Sequence, residues 1–187
     1  MERRAWIISR FGIAVILAAM VVGPGFSHPD YSSFIHTTSE LAGQNMPNAW
    51  IMRSGLGLYG ASTALAALIA FRRAPATCAA LILFGTALTG TAIWSHVPID
   101  PSLGSDLAED RLHSLFSGLT GTAFAIACTA RLWSKGWAPS DWAAWAGLFA
   151  SVGLTAAMSA LPEAAGALQR LMFVISFGFV MGQFSQR

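Results

Sequence analysis

Charged residues are scarce in this chain of 187 residues. They make up 11% of the sequence, whereas an ordinary soluble domain has about 25%. A soluble domain of this size needs more charge to cover its surface. Hydrophobic residues account for 55%, and tryptophan and phenylalanine far outnumber tyrosine, which is typical of a lipid-facing surface with interfacial tryptophan anchors. We therefore expect a membrane protein.

Several chemical signatures are also missing. The net charge is +2 and no run of basic residues is present, so we expect no nucleic-acid partner. The sequence has no glycine-rich phosphate loop, no nucleophile elbow and no lysine within an apolar segment. Its two cysteines, Cys78 and Cys128, both lie in apolar segments and indicate neither a disulfide nor a metal pair.

Six segments are apolar and long enough to cross a bilayer, which takes about 20 residues. Gly23-Pro24-Gly25 ends the first of them, and Pro98 and Pro162 end the third and the fifth. The sequence therefore predicts an all-α fold, a polytopic bundle of six transmembrane helices in a single domain, residues 1–187. The predicted spans are residues 6–22, 49–71, 77–97, 112–130, 142–161 and 164–184.

Charge is distributed unequally between the two sides of this predicted bundle. With the N-terminus inside, the inner segments contain eight basic and two acidic residues, and the outer segments contain three basic and seven acidic residues. Because Lys and Arg in short loops favour the cytoplasmic side, we expect both termini in the cytoplasm and the protein in the inner or plasma membrane. The inner residues are Arg3, Arg4, Arg10, Arg72, Arg73, Arg131, Lys135 and Arg187 with Glu2 and Asp141; the outer ones are Arg53, Arg111 and Arg170 with Asp30, Glu40, Asp100, Asp106, Glu109, Asp110 and Glu163.

The first outer loop, residues 23–48, is long enough to carry structure of its own. Residues 37–42 are predicted to form a short interfacial helix, capped by Thr38 or Ser39, with Glu40 near its N-terminal end. Elsewhere, three pairs have the spacing by which small residues let membrane helices approach closely. They are Gly178 and Gly182, Gly57 and Ala61, and Ser117 and Gly121. We expect close helix packing at these pairs.

All four histidines fall on the predicted outer side: His28, His36, His96 and His113. Ionisable groups at a membrane span are costly and are usually paired or functional. In a metal interpretation, His36, His96 and His113 bind zinc together with a carboxylate and activate water. No close-spaced pair of ligands supports this interpretation. We expect no cofactor and no full cluster of the three, and zinc remains an open alternative.

Two further interpretations concern the outer arginines. In the structural one, Arg53 and Arg170 pair with Glu40, Asp100 or Glu163 and pin the outer ends of the helices. In the ligand one, the same two arginines receive an anionic head group at the outer leaflet. Both interpretations place Arg53 and Arg170 beside an outward-facing polar pocket. Its candidate residues are His36, Ser39, Glu40, Asn48, Arg53, Asp100, His113 and Arg170.

The first outer loop resembles a known family. His36-Thr37-Thr38-Ser39-Glu40-Leu41-Ala42-Gly43, followed by Met46-Pro47-Asn48-Ala49-Trp50, is similar to the domain-of-unknown-function family 998 of prokaryotic membrane proteins. Pro98-Ile99-Asp100 after the third span and His113 at the start of the fourth also look like that family, whereas Ala42 interrupts its usual Leu-Gly pair. The layout is distantly similar to the DRAM-like and Sfk-like six-span proteins. The resemblance implies a six-span bundle in a membrane and no established activity.

Three functions are therefore compatible with the sequence. The first is binding or organising an anionic or amphipathic, lipid-like ligand at the outer leaflet, with the bilayer itself as the main partner. The second is a membrane-embedded hydrolase that uses a histidine-bound metal or His113 as general base. The third is a small transporter, which we disfavour because no span is visibly broken by paired glycine and proline.

Overall fold

The computed structural model describes residues 2–185, with the side chain of Glu2 left out. Its regular structure is helical throughout this range. Six of its helical segments are long and apolar enough to cross a membrane, as predicted. Of the charges counted for orientation, Arg187 and the side chain of Glu2 lie outside the described part.

The first three spans lie close to their predicted bounds. Helix α1 is Glu2–Val22 and continues as a 3-10 turn, Gly23–Phe26. Helix α3 is Trp50–Ala70, followed by a 3-10 turn at Phe71–Arg73, and α4 is Pro75–Ile93. The third span was predicted to reach residue 97, but the backbone is already extended at Trp94.

The fourth span is longer than predicted. Helix α5 is Leu107–Ser134, a helix of 28 residues and about 42 Å. The sequence predicts a start at Leu112, five residues too late, because the charged residues before Leu112 are typical of a loop. Asp106 instead caps the helix, accepting hydrogen bonds from the backbone N–H groups of Ala108 and Glu109. Helix α8, Ala165–Gln183, forms the last span as predicted.

The fifth span changes its helical geometry midway. Helix α6, Trp142–Phe149, runs into a π-helical turn at Ala150–Leu154 and continues as α7, Thr155–Ala160. A π turn carries one residue more than an α turn, and such turns often occur at functional sites. No proline marks this irregularity in the sequence.

The short helix α2, Thr38–Leu41, lies in the long loop. Its cap is Thr37 rather than the predicted Thr38 or Ser39. The Thr37 hydroxyl accepts from the backbone N–H of Glu40, and the Glu40 carboxylate accepts from the backbone N–H of Thr37. This reciprocal pair is a capping box, which satisfies two otherwise unbonded donors at the helix start.

The spans form a closed ring. Helix α1 packs on α3, α3 on α4, α4 on α5, α5 on α6, α6 on α8, and α8 returns to α1. We call the end that carries residues 23–49 and 94–106 the loop end, and the end that carries Glu2, residues 71–74 and Ser185 the terminal end. The ring encloses side chains that are fully buried, among them Ile16, Tyr59, Leu81, Leu132 and Phe179.

The tightest helix crossing joins α3 to α4. A Cβ added to Gly85 would lie 2.3 Å from the carbonyl oxygen of Gly60, and one added to Gly60 would lie 2.5 Å from that of Gly85. The predicted contacts at Gly178 and at Gly121 do not form, because a Cβ at either position would meet nothing within 4 Å. The predicted Gly57 does lie at the crossing of α3 and α4, where an added Cβ would be 3.4 Å from that of Ala92, but the tightest contact is made by Gly60 and Gly85.

Candidate functional site

A cavity of about 490 Å³ lies inside the ring. It extends from the middle of the spans towards the loop end, between α4, α5, α7 and α8, and α2 lies over it. Its volume is within the range of small-molecule sites, roughly 300 to 1,000 Å³. The residues that line it are Ser39, Leu56, Phe84, Leu88, Thr91, Ser117, Gly118, Thr120, Gly121, Thr122, Phe124, Ser151, Thr155, Met158, Gln169, Met172, Phe173 and Ser176.

Most hydroxyl groups in the cavity wall are already hydrogen-bonded. Thr120 and Thr122 donate to the carbonyl oxygens of Phe116 and Gly118, one turn earlier in the same helix. The hydroxyls that follow this pattern also include Thr91, Ser151, Thr155 and Ser176. A hydroxyl that donates to its own helix needs no further donor contact. The middle of the wall is therefore compatible with a hydrocarbon ligand.

The end of the cavity under α2 is more polar. Gln169 of α8 accepts from both the backbone N–H and the hydroxyl of Thr38, each at 2.6 Å. This pair joins α2 to α8 and holds the helix over the cavity. Within residues 2–185, the amide nitrogen of Gln169 and the hydroxyls of Ser39 and Ser117 make no side-chain hydrogen bond, so they are available to a polar ligand group.

Aromatic rings close the opposite end of the cavity. The ring of Phe84 lies 5.3 Å from that of Phe124, which lies 5.3 Å from that of Phe179. The ring of Tyr59 contacts Phe84 at 6.0 Å and Phe177 at 5.1 Å, in edge-to-face geometry. The cavity therefore has a polar end near the loops and an apolar end in the middle of the bundle, the polarity order of an amphipathic molecule.

The cavity is partly open to the surroundings of the bundle. Helix α5 packs on α6 and on the π turn, whereas α7 packs mainly on α8, so α5 and α7 diverge towards the loop end. Gly118 and Thr122 of α5 and Thr155 of α7 line the cavity and are exposed. The opening therefore lies at the side of the bundle, between α5 and α7, where lipid surrounds the spans.

The predicted outer pocket does not converge on one point. Of its eight residues, Ser39 lines the cavity and Arg53 and Asn48 line a separate shallow groove. The side-chain amide of Asn48 donates to the carbonyl oxygen of Phe26 at 3.0 Å. Glu40 caps α2. These contacts hold the loop end together rather than forming a shared pocket.

Arg53 and Arg170 bind backbone carbonyls, not the carboxylates that the sequence suggested. Arg53 donates to the carbonyl oxygens of Ala42 and Gly43, both at 2.9 Å. In the described range, neither Arg53 nor Arg170 has a carboxylate at ion-pair distance. Carbonyl groups occur at every residue, so this pairing leaves no mark in the sequence.

Arg170 is the main link between α8 and the first loop. Its Nη1 donates to the carbonyl oxygens of Ser33, His36 and Gly166, and its Nη2 donates to the Tyr31 hydroxyl at 2.6 Å. Burial raises the pKa of that hydroxyl, and the hydrogen bond from Arg170 acts in the opposite direction. Every donor contact of this guanidinium serves the fold, which leaves little capacity for an anionic ligand.

The histidines and Asp100 are spread over the loop end. His36 accepts from the backbone N–H of Ser32 at 2.9 Å. Asp100 accepts from the backbone N–H and the hydroxyl of Ser102, which holds the pKa of Asp100 below its usual value, and it lies 3.7 Å from His28.

One histidine contacts a carboxylate closely. Nδ1 of His96 lies 2.6 Å from Oδ1 of Asp110, and the ring of His96 stacks on that of His113 at 5.4 Å. His113 is buried, with Nδ1 2.9 Å from the carbonyl oxygen of Trp94. In the described part of the chain, no group of three His, Cys, Asp or Glu side chains is arranged to hold a metal ion.

Sequence reasoning missed the cavity, although part of its wall carried a signal. Ser117 and Gly121 were interpreted as a helix-packing pair, and they instead line the cavity. With Ser117, two threonines of α5, Thr120 and Thr122, also belong to this wall. Their position on one side of a membrane helix would have indicated a polar lining, but not whether another helix or a void faces it.

Comparison with curated proteins and with solved structures gives no match. A family model does match, under the description "Protein of unknown function (DUF998)", and it covers residues 3–182. This range includes the first five spans, all but the last residue of the sixth, the loop that carries α2, and every residue of the cavity wall. The chain therefore belongs to the DUF998 family of membrane proteins, as its first outer loop suggested.

Proposed function

We propose that this protein binds an amphipathic, lipid-like ligand and holds the hydrocarbon part of that ligand in the cavity between α4, α5, α7 and α8. The observation that carries the proposal is the cavity itself, about 490 Å³ within the depth of the spans. Helices of a membrane bundle normally fill such space with side chains. Gly118 and Gly121 leave it open, and a Cβ at either would meet no atom within 4 Å.

The polarity of the wall gives the ligand its orientation. The hydrocarbon part lies against Phe84, Phe124 and Phe173, and the polar part lies under α2, near Ser39 and Gln169. Exchange with the bilayer takes place through the opening between α5 and α7. The proposal thus keeps an amphipathic ligand but replaces the predicted anion pocket, since Arg53 and Arg170 already bind carbonyl groups.

The charge distribution supports a location for this activity. The excess of arginine at the terminal end favours the cytoplasm for that end. We place the protein in the inner or plasma membrane with the cavity in the outer half, so the ligand comes from the outer leaflet.

The experiment compares two glycine variants. Gly121→Phe fills the cavity, and Gly178→Phe adds the same side chain where a Cβ also meets nothing but outside the cavity wall. Both proteins are purified in a mild detergent, and the lipids that co-purify are measured by native mass spectrometry and lipidomics. We expect Gly121→Phe to retain about ten-fold less of the bound species, equivalent to about 1.4 kcal/mol, and Gly178→Phe to match the wild type. Equal retention by both variants would refute the proposal.

A second candidate function is a hydrolase with His96 as general base. The observation that favours it is the 2.6 Å contact between His96 and Asp110, since a carboxylate of this kind orients an imidazole and stabilises its protonated form. The sequence favoured His113 as the general base. His96 takes its place in this candidate, because His113 is buried with Nδ1 beside the carbonyl oxygen of Trp94. Hydrolysis of fluorogenic ester and amide lipids tests this candidate. His96→Gln should lower a genuine rate by about 100-fold and His28→Gln should not.

A further inference from the structure

A second cleft lies at the terminal end, opposite the cavity. Its volume is about 910 Å³, and it lies between the start of α1, the 3-10 turn after α3, and the end of α8. Three arginines line it, Arg4 from α1 and Arg72 and Arg73 from the turn. No described residue of its wall carries a carboxylate.

The position of Arg4 indicates that the cleft binds an anion. Two arginines at the C-terminal end of α3 would by themselves complement the dipole of that helix. Arg4 comes from another helix and adds a third positive charge to the same cleft. Arg73 makes a further interaction within the protein, so the argument rests on Arg4 and Arg72, which are both exposed. Guanidinium groups brought together in this way bind phosphate through paired N–H donors.

The rest of the cleft is apolar. Ala5 and Phe184 are buried in its wall, and Leu68 and Phe71 are 61% and 39% exposed at its edge. Leu68 lies within the second span, so its exposed surface faces lipid. The cleft therefore offers positive charge at the membrane boundary and, beside it, apolar surface that runs into the bilayer.

We propose that this cleft binds the phosphate group of an anionic phospholipid, with an acyl chain along Leu68 and Phe71. A free phosphate ion would use the arginines but gain nothing from the apolar edge, whereas a phospholipid uses both. The proposal is independent of the ligand proposed for the cavity, because the two sites share no residue and lie at opposite ends of the bundle.

The test measures lipid binding to the full chain in detergent by native mass spectrometry, with phosphatidylglycerol and phosphatidylcholine as probes. Arg4→Gln/Arg72→Gln removes two charges from the cleft. The control, Arg111→Gln, removes an exposed arginine near the loop end. We expect the double variant to bind phosphatidylglycerol about 30-fold more weakly, since each arginine near the membrane surface contributes about five-fold. Phosphatidylcholine binding should not change in either protein.

A charge-conserving variant keeps the test decisive if the neutral one does not accumulate. Arg4→Lys/Arg72→Lys retains the charge but loses the paired N–H geometry, so its affinity for phosphatidylglycerol should lie between those of the wild type and the neutral variant. Competition by millimolar inorganic phosphate at constant ionic strength would show a free-anion site and overturn the proposal. Phosphatidylglycerol affinity equal in the cleft variants and in Arg111→Gln would overturn it as well.

Discussion

Arg131 and Asp141 form a bidentate ion pair at the terminal end of the bundle. Nε of Arg131 donates to Oδ2 of Asp141 at 2.8 Å, and Nη2 donates to Oδ1 at 2.9 Å. Both residues are buried, and the pair connects the end of α5 to the start of α6. Lys135 lies 3.1 Å from the same carboxylate, and Arg131 also donates to Gln183 of α8. Arg131 therefore joins three spans, with Asp141 as its counter-ion.

Asp141→Asn should destabilise the protein by about 3 kcal/mol, because it leaves Arg131 buried without its counter-ion. Thermal unfolding in detergent measures this. Lys135→Gln is the control, since Lys135 is about half exposed and its removal leaves the main pair intact. Replacing both partners, Arg131→Leu/Asp141→Leu, should recover much of the loss. An Asp141→Asn protein as stable as Lys135→Gln would contradict the role of the pair.

The same carboxyl group should make stability depend on acid. Burial by itself would raise the pKa of Asp141, but the hydrogen bonds from Arg131 and Lys135 outweigh it and hold the pKa below its ordinary value of 3.8. The stabilisation is complete above 3.8 and is lost as the pH falls through the lower, folded-state pKa. Melting temperatures measured from pH 6 down to pH 3 should therefore decline more steeply below about pH 4 for the wild type than for Arg131→Leu/Asp141→Leu. Parallel curves would argue against this linkage.

Gly85→Ala should disturb the crossing of α3 and α4. The added Cβ meets backbone atoms of Gly60 and Ala64, which have no side-chain freedom to move away, so the helices must separate. We expect a loss of about 1–3 kcal/mol or a lower yield of monodisperse protein in size-exclusion chromatography. Gly178→Ala makes the same change in open space and should be neutral. If the two variants behave alike, the close approach of α3 and α4 is not a stability determinant.

Arg170→Leu should release the first loop from α8. The change removes hydrogen bonds to Ser33, His36 and Tyr31, and a bond from a charged donor contributes roughly 1.5–3 kcal/mol. Hydrogen–deuterium exchange of residues 31–37 should increase, while exchange in α4 stays as it was. Arg170→Lys should not restore protection, because one ammonium nitrogen cannot replace both Nη1 and Nη2, which donate to different acceptors. Unchanged exchange in Arg170→Leu would show that the loop is held by other contacts.

The proposed orientation, with both termini in the cytoplasm, predicts which positions react with an impermeant thiol reagent. In spheroplasts, single cysteines at Ser32 and Ser105 should be labelled from outside, and cysteines at Ala74 and Ser134 should be labelled only after the membrane is opened. The native Cys78 and Cys128 are buried, so the background should be low. Labelling of the Ala74 position in intact spheroplasts would reverse the proposed orientation and place the cavity in the inner half of the membrane.

The six spans could be predicted because each is set by its own residues. A run of about 20 apolar residues must cross the bilayer whatever its neighbours do. The contacts of Arg53 and Arg170 could not be predicted, because their acceptors are backbone carbonyls, which carry no residue-specific signal. The sequence favoured carboxylates as partners of both arginines. In the fold, both donate to backbone carbonyl oxygens, which every sequence contains.

The cavity lies beyond sequence reasoning for a different reason. Whether Ser117 and Gly121 face a helix or a void depends on the separation of α5 and α7. That separation follows the π turn at Ala150–Leu154, which has no proline or glycine pair to mark it. The sequence therefore contains a small-residue motif, but the same motif occurs whether the facing space holds a helix or a void.

The π turn also determines which side of the following helix, α7, faces the cavity. One additional residue in a helix turns everything that follows by about 100° relative to an uninterrupted α-helix. Thr155 and Met158 present their side chains to the cavity in this offset phase. Regular α-helical winding of the same residues would swing a different side of α7 inward, whereas loss of one exposed residue within the turn, such as Val152, would remove the turn and leave the same side of α7 facing the cavity. The side chains that α7 presents to the cavity are therefore set by the winding of the preceding turn as well as by the residues of α7 itself.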